Sequence, residues 1–163
     1  MMSDPAQPRI REILTDPVHL LAFGFGTGLA PKAPGTVGSL PGVLLAWLTL
    51  PLPLAWRLAI GLLLIVAGIW ICGESSRRIG VNDHGGIVWD EITGMYLTLL
   101  VAPPQIALWA LSFALFRLFD IWKPWPIREL DHRLVGGAGI MLDDLVAALY
   151  AALILVLGGR LTG

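Results

Sequence analysis

Carboxylates and cations in this 163-residue chain gather in short clusters between long apolar stretches. Three of these clusters could do chemistry. Asp90-Glu91 opens an uncharged run, Arg117-Leu-Phe-Asp120-Ile-Trp-Lys123 follows that run, and Asp143-Asp144 stands at the mouth of the last apolar stretch. Carboxylates beside apolar spans are costly unless they are paired or bound to a metal. Five of them gathered in one place would repel one another, and a hard divalent cation relieves that repulsion. Mg²⁺ takes oxygen ligands, typically one or two carboxylates with waters and phosphate oxygens. Arg117 and Asp120 are spaced i, i+3 and share a helix face, with Lys123 one step further along. The spacing reads either as an intrahelical salt bridge or as an anion clamp. In the clamp, Arg117 and Lys123 bind phosphate oxygens while Asp120 holds a metal, an amine or a water. Each acidic pair taken singly also reads as a favourable first-turn cap.

A glycine-rich segment offers a second kind of site. Pro34-Gly35-Thr36-Val-Gly38-Ser39, with Lys32 just ahead, sets glycines and hydroxyls before a helix. Free N–H groups and a positive dipole end there suit an anion, and a tight re-entrant turn is the equal alternative. Neither a P-loop nor a dinucleotide fingerprint is present. Cys72 and Arg78 have the C-x5-R spacing of cysteine phosphatases, yet Cys72 ends an apolar helix and Glu74 would repel a phosphate. His84 and His132 are general-acid candidates by residue type and equally ordinary loop histidines.

The elements that must position these groups are membrane elements. The chain is 56% hydrophobic and 14% charged, against about 45–50% and about 25% in soluble domains. A net charge of −1 gives no field to attract nucleic acid. Cys72, the single cysteine, excludes an internal disulfide and a cysteine-based zinc cluster. Residues 1–18 read as a polar tail or interfacial helix with no cleavable signal pattern, and 19–163 as a membrane-embedded domain. The expected fold is an all-α, polytopic membrane helical bundle with short spans, helical hairpins and a Gly/Pro-rich re-entrant N-terminal segment over 19–42.

Pro51 and Pro53 divide one apolar run into helices near 43–50 and 54–73, with a loop over 74–87. Pro103-Pro104 makes the next run either one kinked span or a hairpin. The last span is expected over 142–158. Hairpins place Lys32, Arg77, Arg78, Arg117, Lys123, Arg128 and Arg133 on one side and Arg57 and Arg160 on the other, which makes the charged side cytoplasmic. Hairpin arms of about 15 residues are only about 22 Å long against an apolar core of about 30 Å, so the bilayer must thin locally or the arms must sink. A small transporter or channel with acids on the ion path is the rival to an enzyme.

Four ordered motifs go further. Pro-Gly-Thr-x-Gly-Ser (34–39), Asp-Glu-x-x-Gly (90–94), Phe-Arg-x-Phe-Asp-x-x-Lys-Pro-x-Pro-Ile (116–127) and Gly-Gly-x-Gly-Ile-Met-x-Asp-Asp (136–144) together closely resemble the phosphatidylglycerophosphatase A family over about 20–157. The resemblance implies Mg²⁺-dependent hydrolysis of phosphatidylglycerophosphate to phosphatidylglycerol and inorganic phosphate in the bacterial cytoplasmic (inner) membrane. It implies Asp90, Glu91, Asp120, Asp143 and Asp144 as catalytic carboxylates, with the metal on Asp90, Glu91, Asp120 and Asp144. It implies Lys32, Gly35, Thr36, Ser39, Arg117 and Lys123 as substrate contacts. Attack by water and attack by an aspartate both remain open.

Overall fold

A computed structural model describes residues 10–127, 129 and 135–162. Arg128, His132 and Arg133 lie outside the described residues. Every regular element among those described is helical: α1 (Ile10–Thr15), α2 (Pro17–Ala22), a 3-10 segment (Gly24–Leu29), α3 (Pro34–Gly38), α4 (Leu40–Leu48), α5 (Leu54–Ile79), α6 (Trp89–Leu99), α7 (Ile106–Trp122) and α8 (Gly137–Thr162).

α6 is the central post. Ile92, Thr93, Gly94, Met95, Tyr96, Thr98 and Leu99 are all buried, and α4, α5, α7 and α8 pack around it. Its Thr93 and Thr98 hydroxyls donate to the carbonyls of Trp89 and Gly94, four residues back. Ser112 and Thr49 do the same on their own helices. Polar groups in an apolar surround need such internal partners. Pro103-Pro104 falls in the turn between α6 and α7, so this run is a helical hairpin and not one kinked span.

Two boundaries differ from expectation. α5 runs on to Ile79 where a loop was expected from residue 74. Glu74 holds Arg77 and Arg78 at 2.8 and 2.7 Å, at i+3 and i+4, and so carries the helix to Gly80, which caps it at φ 79°. Arg78 also reaches Asp16 at 2.7 Å, and Asp16 caps α2 by accepting from the Val18 and His19 N–H groups. This contact ties the N-terminal helices to α5. α8 starts at Gly137, not near residue 142, because Gly137 lies against α5, where a Cβ would overlap the Ile69 carbonyl. Asp143-Asp144 consequently sits in the second turn of α8, where first-turn capping does not account for it.

α5 and α8 are long and apolar enough to cross a membrane. Each has 26 residues, about 39 Å at the helical rise. Only 22% of the apolar window in α5 is buried, and Leu62, Leu63, Val66 and Trp70 are each at least 60% exposed. A water-soluble core helix hides such residues, whereas a lipid-facing one presents them. Trp47 and Trp56 stand at one end of the bundle and Trp122 and Trp125 at the other, all exposed, as in the aromatic belts of membrane proteins.

Gly137→Ala is expected to destabilise the fold by about 1–3 kcal/mol through overpacking, measured as a lower unfolding midpoint in detergent. Gly159→Ala, whose added methyl meets nothing within 4 Å, is expected not to lower that midpoint.

Candidate active site

The site forms where the ends of α3, α6, α7 and α8 meet. α6 brings Asp90 and Glu91 in its first turn, and α8 brings Asp144 in its second. Gly94, one turn along α6 from Asp90, lets them converge. A methyl there would press on the Phe116 ring and come within 3.2 Å of the Asp144 carbonyl oxygen. One oxygen from each of Asp90, Glu91 and Asp144 lies within 4.8 Å of the others. Asp90 is 7% and Asp144 2% exposed.

α7 supplies the cations. Arg117 Nη1 bonds the Asp120 carboxylate one turn on and stands 3.8 Å from Glu91 Oε1. The Asp120 carboxyl in turn interacts with that of Asp144. Gly35 of α3 is packed directly on this group: a Cβ there would overlap Glu91 Oε1 and lie 2.9 and 3.0 Å from the Arg117 Nη atoms. Lys123 ends α7 in the left-handed region at φ 46°, uncommon for a non-glycine residue. Its Nζ donates to Asp143 Oδ2 at 2.7 Å, and Asp143 Oδ1 accepts the Asp144 N–H at 3.1 Å.

Among the described residues, six buried side-chain atoms have no hydrogen-bond partner, and four of them belong here: Asp90 Oδ1, Glu91 Oε2, Asp144 Oδ2 and Arg117 Nε. An unpartnered buried polar atom costs about 1–3 kcal/mol, more when charged. Like charges about 4 Å apart repel by about 4 kcal/mol even at an effective dielectric of about 20. Three converging, orphaned carboxylate oxygens therefore fit a bound cation. An all-oxygen donor set selects a hard ion over zinc or copper.

The structure thus brings together Asp90, Glu91, Asp120, Asp144, Arg117 and Gly35, with Lys123 and Asp143 adjoining through their own ion pair. The glycine segment departs from the expected anion cradle. The N–H groups of Thr36 and Val37 both donate to the Ala33 carbonyl at 3.0 and 3.2 Å, and that of Ser39 to Gly35 at 2.9 Å. The buried Ser39 hydroxyl also donates to the Gly35 carbonyl, at 2.8 Å. The segment is a tight turn whose donors at 36, 37 and 39 are engaged. Thr36 is half-buried, and Lys32 is exposed in the bend before α3.

Cys72 lies in the apolar core, while Arg78 is held by Glu74 and Asp16, so the two form no phosphatase pair. His84 packs on Phe23 and accepts the Gly86 N–H at 3.1 Å through Nδ1. Burial lowers its pKa against the pull of Asp83. Sequence reasoning missed the positioning role of Gly94, whose signal was its place one turn after Asp90 on the same helix face.

A carboxylate cluster able to hold a cation, beside a guanidinium, provides the parts of a phosphoryl-transfer site, here in an all-helical bundle with an exposed apolar surface. The family model described as "Phosphatidylglycerophosphatase A" matches residues 20–158. The chain is 44% identical over 160 residues to the phosphatidylglycerophosphatase A of Escherichia coli, covering 96% of this chain and 91% of that one. It is 46% identical over 143 residues to the protein of that name from Haemophilus influenzae, covering 86% and 88%. It is 35% identical over 153 residues, covering 88% and 94%, to a Bacteroides thetaiotaomicron protein named "Putative phosphatidylinositol-3-phosphatase". No solved structure matches. The chain belongs to the phosphatidylglycerophosphatase A family and is a phosphatase enzyme.

Gly35→Ala is expected to lower turnover at least about tenfold, since its methyl must displace Glu91 or Arg117. The unfolding midpoint should shift less than for Gly137→Ala, because the atoms the methyl meets are the ends of flexible side chains and not backbone. Phosphate release and thermal unfolding in detergent, measured on the same preparation, check both halves.

Proposed function

We propose that this enzyme hydrolyses the terminal phosphate of phosphatidylglycerophosphate, releasing inorganic phosphate and phosphatidylglycerol, and that it requires Mg²⁺. The observation that carries the reading is the cluster of Asp90, Glu91 and Asp144, each with a buried oxygen lacking a partner, set against Arg117. The names of the relatives from Escherichia coli and Haemophilus influenzae supply the substrate.

Asp90, Glu91 and Asp144 would hold the ion, with Asp120 beside them. When bound, Mg²⁺ supplies positive charge at the phosphoryl oxygens and acidifies water. Arg117 presents its planar fork to the same oxygens and offsets charge that grows during P–O cleavage. Asp120 fixes the guanidinium from one turn away. Asp143 holds Lys123 at the rim of the site, where the ammonium adds a second positive charge. The leaving lipid glycerol oxygen departs with a proton, and the phosphoryl group ends on a water-derived oxygen. A trapped phosphoenzyme would assign the attack to a carboxylate, and inversion at phosphorus to water.

The proposed setting is multi-pass insertion in the cytoplasmic membrane with the site on the cytoplasmic face. Lys32, Arg77, Arg78, Arg117 and Lys123 fall at the site end of the helices, and Arg57 and Arg160 at the far end, which supports that orientation by the positive-inside rule.

Asp90→Asn, Asp120→Asn and Asp144→Asn are each expected to lower turnover by at least about 10²-fold, close to 2.7 kcal/mol of transition-state stabilisation. Phosphate release by purified enzyme from phosphatidylglycerophosphate in mixed micelles measures it, and near-normal rates in all three would remove the carboxylate site. Chelation should abolish release and added Mg²⁺ restore it. Release from a phosphatidylinositol phosphate alone would transfer the reading to that headgroup. No release from either lipid would favour transport.

A further inference from the structure

Among the described residues, an apolar groove lies on either side of α7, and one of the two runs toward the site. The first runs between α4 and α7, lined by Leu40, Val43, Ile106, Trp109, Ala110 and Phe113, with a volume of about 450 Å³. Both helices pack on α6. Phe113 to Ile106 covers about 10 Å of helix. Beyond Trp109 a smaller hollow continues past Ile106 to Gln105 and Leu50.

At its other end the groove meets charge. Leu40 directly follows Ser39, whose hydroxyl is bonded to Gly35. Phe113 lies one turn before Arg117 on the same face of α7. Gly35 and the Arg117 guanidinium are close neighbours, so the apolar walls end about one helical turn from the cationic edge of the site. The second groove, between α7 and α8, is lined by Ala102, Leu108, Leu111, Ile154, Leu155 and neighbouring residues. It lies at the end of the bundle away from the site.

We propose that the α4–α7 groove holds an acyl chain of the lipid phosphate substrate, which enters sideways from the leaflet with its anionic head on Arg117. This rests on the lipid phosphatase reading above. A cation at one end and hydrocarbon walls along the rest complement an amphiphile with an anionic head. Free phosphate would use only the cationic end, and an apolar helix of a second copy would bring nothing to Arg117.

The test substitutes the exposed wall residue Ala110→Trp, with Val43→Trp from the opposite wall as a second variant and Leu111→Trp in the other groove as control. Phosphate release is measured from dioleoyl phosphatidylglycerophosphate and from its dibutanoyl analogue. The wall variants are expected to raise KM for the dioleoyl lipid about tenfold, a loss equal to a tenfold affinity change, and to leave the dibutanoyl KM within about twofold. The control should change neither. Equal effects on both substrates, no effect on either, or the same effect from Leu111→Trp would overturn the groove while leaving the phosphatase reading intact. A change in oligomeric state in detergent without chain-length dependence would assign the groove to a second copy and overturn the proposal. Absence of phosphate release from either substrate by the unsubstituted enzyme would instead sink the underlying reading and the groove with it.

Discussion

Three carboxylates, each with a buried oxygen that lacks a hydrogen-bond partner, push one another apart, and the bundle is arranged to hold them together. Asp90 and Glu91 ride on α6, which packs against α3, α4, α5, α7 and α8, so their backbone is held in place by the burial of Ile92 and Met95 beside them. Asp144 faces them from α8, which is fixed by the close approach of Gly137 to α5. Small residues at Gly94 and Gly137 thus act on the electrostatics by setting helix separation. The repulsion, several kcal/mol in total by Coulomb's law at moderate dielectric, is opposed by Arg117 and by any cation the cluster takes.

The surround strengthens every term of that balance. Hydroxyls on the inner helices bond back to their own carbonyls, so these four donors are not turned toward the acids. The α6–α7 hairpin is short, about 16 and 25 Å for its arms of 11 and 17 residues. Both arms therefore fall short of an apolar core of about 30 Å. The polar cluster at the open end of the hairpin is enclosed by helix ends, with Asp90 and Asp144 almost closed to solvent. A charged group in that position is worth more as a partner and costs more when unpaired.

Much of this was legible in the sequence. Apolar runs punctuated by Pro53 and Pro103-Pro104 gave the helices and the hairpin, and the charge clusters marked the end of the bundle where the acids meet. Helix ends were read less well, because they depend on contacts that spacing does not reveal. α5 outlasts its apolar run because Glu74 pairs along the helix with Arg77 and Arg78. α8 begins inside a glycine cluster because the neighbouring backbone demands glycine there. The 34–39 segment has the residues of an anion cradle, but its N–H groups at 36, 37 and 39 turned inward to close the turn. Composition could not distinguish those outcomes. Nor could it assign partners within the cluster, where Lys123 meets Asp143 across two elements.

The two cations of the cluster are not equivalent. Lys123 approaches Asp143 at 2.7 Å, and Asp143 in turn accepts the N–H of Asp144, so this ammonium is a strut between the end of α7 and the second turn of α8. Arg117 has a different set of neighbours. Asp120 holds one edge of its fork, Glu91 is at 3.8 Å, too far for a hydrogen bond, and its Nε is buried with no acceptor. A lysine at 117 could bond Asp120 but would present one point charge and leave the space beside Gly35, taken by the two Nη atoms, partly unfilled. The glycine and the guanidinium are therefore matched in shape: the absence of a side chain at 35 is what lets a planar cation lie beside Glu91. A site that needed only positive charge would tolerate a methyl there, and one that needs an oriented fork does not.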